Sequence, residues 1–410
     1  MSGDLRHRCS RYEPLLARVS TAGVAIKCRD CVAADALVAT SDGPMPIQDV
    51  TVGQDVWAWD NGQMVLRPVS HILTQGVQDT IRIATRRRAI LVTSQHRMAV
   101  LRLTHKGKGP GNFNGWSMMW EQAASVRRGD WLVTHAELPE VPRARSWLSD
   151  GTAVDPDVAW FLGVFAADGN VHRTGPFVCV YGDVRDEVRR ILSDVWGLAS
   201  TPSAQHGVWA SSASLRDALR DVGLGRPSTE RTVPAVILRA DPKIRRAFLD
   251  GYAAGDGYIH VRAGRREIGY SATSRQLVAE VRALHLGLGD HTSNLADHPR
   301  TQPIVIRGRL VRNARPLVEF TVWPDSKKDF QTMLGRRGAR RALPDQHFTV
   351  DHVASVSPGP RTATFDLTVP GAESFLAEGF LVHNCRGVVT FPTTMLLPIL
   401  TGRAPAQKVG

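Results

Sequence analysis

The sequence predicts a multidomain protein in which an all-β domain is split by an inserted α+β domain. Three observations predict it. Short apolar runs separated by turn clusters fill residues 31–140, and segments of the same style return at 345–384. Between them lies a doubled α-β-β-α-β-β-α pattern whose copies are offset by 88 residues, read from Asp168 to Asp256. An internal repeat takes precedence in reading a fold, and a loop with close ends tolerates such an insertion. A chain of 410 residues with 43% hydrophobic content supplies cores for two or three domains and excludes wholesale disorder.

Residues 1–30 form a short basic flank with Cys9 and Cys28. From 31 to 140, runs such as ALVAT, AILVT and DWLVTH alternate with SDGP, DNGQ and KGKGPGNFNG at the spacing of short strands. PEVPRARS, near 139–146, reads as a linker. The insert, 141–344, opens its first helix at Asp155-Pro156-Asp157, with proline in the first turn and acids at the positive dipole end. VAWFLGVFAADG continues that helix. Strand FVCVYG, helix VRDEVRRILSDVWGL, a strand near GVWASS and helix SLRDALRDVGLG follow. The second copy runs from helix KIRRAFLDGYAAGDG through strands YIHVRAG and EIGYSAT to helix SRQLVAEVRALHLGLG. Strands PIVIRG and LVEFTVW and helix KKDFQTMLG complete it. Strands HFTVDHVASVS, TATFDLTV and SFLAEGFLVHN occupy 345–384, and 385–410 form a second flank.

Charge narrows the function classes. The net charge is +12, and it is concentrated. Residues 231–344 hold 21 basic and 10 acidic side chains, whereas 141–230 hold 9 and 11. A local excess of this size suits phosphate contact. No apolar run reaches the roughly 18 residues of a membrane span, and the N-terminus lacks the apolar core of a signal peptide. Five cysteines in 410 residues do not make a disulfide framework, so a reducing, cytoplasmic setting is expected.

Four separated elements fit one reaction: Cys31, the turn Thr93-Ser94-Gln95-His96, the strand Phe365-Asp366-Leu367-Thr368-Val369, and Val382-His383-Asn384-Cys385. A cysteine thiol can attack the carbonyl before it, and a second cysteine can take over the acyl group. Asparagine can cyclise onto its own carbonyl, and a neighbouring histidine can polarise that carbonyl or move the proton. A Thr-x-x-His turn can supply an oxyanion donor and an acid for the departing amide.

In this order the elements resemble an intein, which would run from Cys31 to Asn384, with its Hint (hedgehog/intein) splicing domain in two parts, 31–140 and 345–384. The resemblance implies an acyl shift at Cys31 assisted by Thr93 and His96, then attack by Cys385, the first residue downstream. Asp366 would order the steps, and His383 would assist Asn384 cyclisation. No cofactor is implied for splicing. Many members carry a histidine where this chain has Glu373, a departure expected to slow cyclisation. Asp30 before the first scissile bond is expected to favour side cleavage.

FLGVFAADG and LDGYAAGDG resemble the two motifs of a LAGLIDADG (dodecapeptide, DOD-type) homing endonuclease. Small residues let the two helices touch: Gly163, Ala166 and Ala167 on one, Gly251, Ala254 and Gly255 on the other. Asp168 and Asp256 would then converge as a carboxylate pair suited to Mg²⁺ and phosphodiester hydrolysis. The strands after each motif would form saddle-like sheets over double-stranded DNA. Arg262, Arg265 and Arg266 lie on a hairpin suited to phosphate or guanine contact. The family's Lys-x-Ile-Pro segment reads Arg231-Thr232-Val233-Pro234 here, which makes Arg231 a candidate catalytic group. Arginine stabilises phosphate charge but is a poor base, so weakened cleavage is expected. Two motifs in one chain imply a monomer.

Splicing would join Cys28-Arg29-Asp30 to Cys385, a Cys-x-x-Cys with the spacing of half a zinc knuckle. His7 and Cys9 are the remaining candidate Zn²⁺ ligands. These flanks faintly resemble Com-type zinc-binding phage regulators, with Tyr12 in place of a usual cysteine. Three alternatives stand beside the leading reading: a splicing insert that only binds DNA, a Hedgehog-type domain that cleaves without ligating, and a zinc-binding regulator as the spliced product. Cys179 is expected in the core.

Overall fold

A computed structural model describes residues 30–105, 115–139, 146–203, 207–262, 265–299, 316–324 and 345–384, with Leu343 and four short strands at 19–20, 23–24, 304–306 and 309–311. Helix KKDFQTMLG and the flanking Cys28 and Cys385 lie outside the described residues, as does most of the linker near 139–146.

The strands on either side of the insert share one antiparallel sheet of 15 strands. Each strand that follows the insert is bordered by strands that precede it. Phe348–Pro358 lies between Trp131–His135 and Ile81–Thr85. Thr362–Thr368 lies between Val32–Ala33 and His71–Gln78. The hairpin Ser374–Ala377/Phe380–His383 lies between Leu37–Thr40 and Arg97–His105. Alternating apolar side chains from these strands, among them Val32, Ile83, Val100, Leu367 and Phe375, close over one core. The burial drives long-range pairing and so fixes which strand ends meet.

The insert follows the doubled pattern in its first copy. Helix α1 (Pro156–Asp168) leads to strands Gly169–Val171 and Pro176–Val178, then α2 (Gly182–Trp196), strands Ser200–Ser203 and Gly207–Ala210, and α3 (Ala213–Asp221). Asp155 caps α1, accepting a hydrogen bond from the Val158 amide at 2.9 Å. Glycine stops α2, since Gly197 takes the left-handed conformation at φ 63°.

The second copy is more elaborate. A short turn of helix, α4 (Ala235–Leu238), precedes α5 (Pro242–Asp256), the hairpin Tyr258–Arg262/Arg265–Ala272 and α6 (Arg275–Gly287). Strand Leu317–Trp323 joins that hairpin in a five-stranded sheet, with His291–Thr292 and Ala296–His298 pairing to it. Ile304–Ile306, within the predicted strand PIVIRG, instead forms a separate ribbon with Arg309–Val311. The predicted strand FVCVYG shortens to Pro176–Val178, so Cys179 falls just beyond it and is only half-buried.

Helices α1 and α5 pack against each other at the centre of the insert, over Phe161, Phe165, Phe248 and Tyr252. The contact is close because glycine stands at the crossing. A Cβ on Gly163 would fall 2.1 Å from the Phe248 carbonyl oxygen, and one on Gly251 would fall 2.0 Å from that of Trp160. Gly255 faces the Ala167 methyl in the same seam. Ala254, expected there, is exposed. At about 100° per residue, it projects well away from the stripe of Phe248, Gly251, Tyr252 and Gly255.

Candidate functional sites

The first site lies where the earliest strand of the β domain meets the Thr-x-x-His turn. Cys31 is fully buried. Its amide donates to Thr93 Oγ1 at 2.9 Å, and its carbonyl accepts the Thr93 amide at 2.9 Å. The strand Ala89–Val92 imposes this pairing, since Val92 is in register with Val32 one step earlier. On the other side, Thr364 pairs with Ala33 and Phe365 with Val32. One further step of that register sets Asp366, itself buried, opposite Cys31.

His96 closes the turn, its amide donating to the Thr93 carbonyl at 3.1 Å. The ring is fully buried. Burial, reinforced by the nearby His383, lowers its pKa to about 3, against a small opposing effect of the Asp30 backbone. The Asp30 backbone is the hydrogen-bonding group that acts on this ring. A neutral imidazole thus stands beside the Asp30–Cys31 peptide.

The same imidazole faces the end of the β domain. Met98 pairs with Val382, and the register from there runs toward His96 and Asn384. His383 Nδ1 lies 2.6 Å from the Asn384 carbonyl oxygen, so a protonated Nδ1 donates to that carbonyl. The Asn384 amide donates to the Glu373 carbonyl at 3.0 Å, and its Nδ2 donates to the Val369 carbonyl at 3.3 Å. Asn384 Oδ1 is buried, with no hydrogen-bond partner among the described residues. Glu373 occupies the turn at φ 50° and meets Asn384 through its backbone. Trp120 was not foreseen. Its ring packs edge-on against His383 with centroids 4.9 Å apart, and nothing in GWSMMWEQ marks one tryptophan above another.

The second site is the paired ends of α1 and α5. A Cβ on Gly255 would lie 3.6 Å from Asp168 Oδ2, and the Asp168 and Asp256 carboxylates are near enough for their charges to interact. Burial, reinforced by the Asp168 charge, raises the Asp256 pKa to about 6. Arg231 stands near both acids but spends its donors on backbone. Nη1 donates to the Ala166 carbonyl at 3.0 Å and Nη2 to that of Gly169 at 2.6 Å, so the guanidinium clamps the end of α1. Tyr252, also unforeseen, is buried beside these groups, its hydroxyl without a hydrogen-bond partner among the described residues.

Two carboxylates that repel each other, only partly offset by the Arg231 charge, make a donor set that fits Mg²⁺. That ion is commonly held by one or two carboxylates plus water and phosphate. Among the described residues no group of three or more His, Cys, Asp or Glu is placed to hold a metal. Of the three hairpin arginines, Arg266 is exposed on Arg265–Ala272, and Arg262 pairs with Arg265 across the hairpin. No helix among the described residues is long and apolar enough to cross a membrane.

Together these features define a class: a β domain with a buried thiol, imidazole and asparagine at its strand ends, interrupted by a carboxylate-bearing helix pair. Residues 243–321, within the second copy, match the family described as the LAGLIDADG-like domain. The chain is 24% identical to an iron-sulfur cluster assembly SufBD family protein of Mycobacterium leprae, over 90% of this chain and 46% of that protein. It is 26% identical to the replicative DNA helicase DnaB of Rhodothermus marinus, over 63% of this chain and 28% of that protein. The chain spans less than half the length of these curated relatives. Among solved structures it is similar to a DnaB intein from Synechocystis sp. PCC 6803, with a TM-score of 0.30, 9% identity, and 87% of this chain and 98% of that one covered.

Proposed function

We propose that this chain is a self-splicing precursor. Its β domain, 31–140 and 345–384, excises itself, and its insert, 141–344, is a DNA endonuclease. The observation that carries the reading is His96, set between the Asp30–Cys31 peptide and the His383-Asn384 terminus. Residues at opposite ends of the β domain act at one place only if a single group faces both.

The steps follow from the groups in place. Cys31 Sγ attacks the Asp30 carbonyl carbon, the C–N bond breaks, and the departing nitrogen takes a proton as the Cys31 amine. His96 and Thr93 hold that peptide. The Cys385 thiol then attacks the thioester and frees the Cys31 thiol. Asn384 Nδ2 attacks its own carbonyl carbon, which His383 polarises, and the Asn384–Cys385 bond breaks as a succinimide forms. The Cys385 amine finally takes the acyl group from its own sulfur, joining Asp30 to Cys385. That junction pairs Cys28 with Cys385 as ligands for Zn²⁺ in the product.

In the insert, Asp168 and Asp256 would hold Mg²⁺, which would supply charge neutralisation and an activated water. Arg262, Arg265 and Arg266 contact the DNA backbone. One observation favours a second reading, in which the insert binds DNA without cutting it: Arg231 directs one donor from each terminal nitrogen to the Ala166 and Gly169 carbonyls at the end of α1.

Intact mass of the full chain expressed in a heterologous cell tests the first reading. Excised 31–384 together with a ligated flank product is the expected result. Uncut chain alone would refute splicing. Incubation with the uninterrupted allele and Mg²⁺ then separates cutting from binding alone.

A further inference from the structure

The insert and the β domain meet through a buried guanidinium. Arg282, on α6, is 3% exposed. Its Nε donates to the Ser293 carbonyl at 2.9 Å, which fixes the side chain within the insert. Its other two nitrogens leave the insert. Nη2 donates to the carbonyl of Arg87, and Nη1 lies 3.8 Å from Glu378 Oε2. Asn294 adds a second tie, its Nδ2 donating to the Thr85 carbonyl at 2.8 Å.

The places it reaches share a property. Arg87 sits in the turn between Ile81–Thr85 and Ala89–Val92, and the second of these strands runs into Thr93 and His96. Glu378 sits in the turn between Ser374–Ala377 and Phe380–His383, and the second of these strands ends at His383-Asn384. One side chain of the insert therefore contacts the base of each strand that delivers half of the splicing centre.

Glu378 is an unusual residue for its turn. It adopts φ 49° and Gly379 adopts φ 77°, a pair of left-handed positions that asparagine and glycine fill at less cost. Its carboxylate is put to use instead. Oε1 accepts the Leu37 amide at 2.9 Å and Oε2 faces Arg282. Around the Arg87 turn, Arg88 binds Asp351 at 2.8 Å, Thr134 Oγ1 at 3.1 Å and the His135 carbonyl at 2.9 Å. Buried polar groups in this junction are held in fixed directions, and removing one partner leaves the others unsatisfied.

We propose that Arg282 is a positioning residue for splicing: from the insert, it holds the Arg87 turn and the Glu378 turn in the relative setting that places Thr93 and His96 against His383 and Asn384. This rests on the splicing reading above. Each turn is joined to its catalytic end by a single short strand, so a shift at the turn is carried along it. Misplacement of reacting groups by about 1 Å costs on the order of a hundredfold in rate.

The test uses the full chain, with Arg282→Met, Arg282→Lys and Glu378→Gln beside wild type. Two rates are followed: thiol-induced cleavage at Asp30–Cys31 and cleavage after Asn384, together with the ratio of ligated to side-cleaved product. Arg282→Met is expected to slow ligation about tenfold and to shift the ratio toward side cleavage. Arg282→Lys should recover part of the loss. If Arg282→Met does not fold, Glu378→Gln decides, with an expected shift of about threefold in the ratio, in the same direction. Wild-type rates and ratio in the folded Met variant, or in Glu378→Gln, would overturn the proposal. Absence of any excision from the wild-type chain would instead sink the splicing reading, and this inference with it.

Discussion

The two sites treat charge in opposite ways. In the β domain, Cys31 and His96 are fully buried, Asn384 nearly so, and His96 is held neutral by a pKa near 3. In the insert, Asp168 and Asp256 stay half-buried at a helix seam, where burial, reinforced by the Asp168 charge, raises the Asp256 pKa to about 6. On the proposed function, the difference follows from the substrate. A domain that acts on its own backbone needs no entrance, so it can use desolvation to keep imidazole neutral and peptide bonds fixed. A site for an external polyanion and a cation must stay open and must keep negative charge unbalanced until they arrive.

The largest expected effect is a double dissociation. Cys31→Ala should abolish thioester formation and ligation while DNA cleavage persists. Asp168→Asn should abolish cleavage while excision proceeds. Mass of the products and supercoiled-plasmid cutting, run on both variants, measure this. Loss of both activities in either variant would mean that the sites are not separable in the way their geometry implies.

Much of the β-domain site was legible because its chemistry dictates residue types. Cysteine, asparagine and their histidine and threonine assistants suit the proposed steps, and they stand at the ends of recognisable strands. The carboxylate pair was legible through its repeat. What was not legible depends on pairings that no local pattern contains. Trp120 meets His383 only because Arg97–His105 pairs with both Gly115–Gln122 and Phe380–His383. Arg282 reads as one more surface arginine on α6 until the insert is docked. Ala254 looked like a packing residue because it lies in the motif, but helix rotation turns it outward. Arg231 looked like a phosphate ligand, and its actual partners are main-chain carbonyls of α1.

A second prediction concerns Asp256. Its folded pKa of about 6 exceeds the ordinary 3.8, so the folded chain holds the proton more tightly than the unfolded chain. Between those values the unfolded state ionises first, and stability falls as pH rises. Above about pH 6 the penalty is complete, on the order of 1–3 kcal/mol. Asp256→Asn should therefore unfold at a higher temperature than wild type at pH 7, with the gap closing below pH 4. The same variant should lose DNA cleavage, and wild-type cleavage should rise through about pH 6 as the carboxylate ionises. An unchanged unfolding temperature at pH 7 would show that the pair is not strained by its own charge.

The smallest expected effect tests how the splicing centre orients a group that is not fully buried. His383 is half-exposed, so burial alone does not fix its ring. The Trp120 edge at 4.9 Å limits ring rotation, and Trp59 backs Trp120 with centroids 6.2 Å apart. An aromatic pair of this kind contributes about 0.5–1.5 kcal/mol beyond burial, equivalent to roughly threefold to tenfold in rate if it acts wholly on orientation. Trp120→Leu keeps an apolar side chain on the strand and removes the edge contact. Cleavage after Asn384 should slow by that factor, while thiol-induced cleavage at Asp30–Cys31 stays at the wild-type rate. Equal slowing of both would place Trp120 in the general stability of the sheet rather than in the setting of His383.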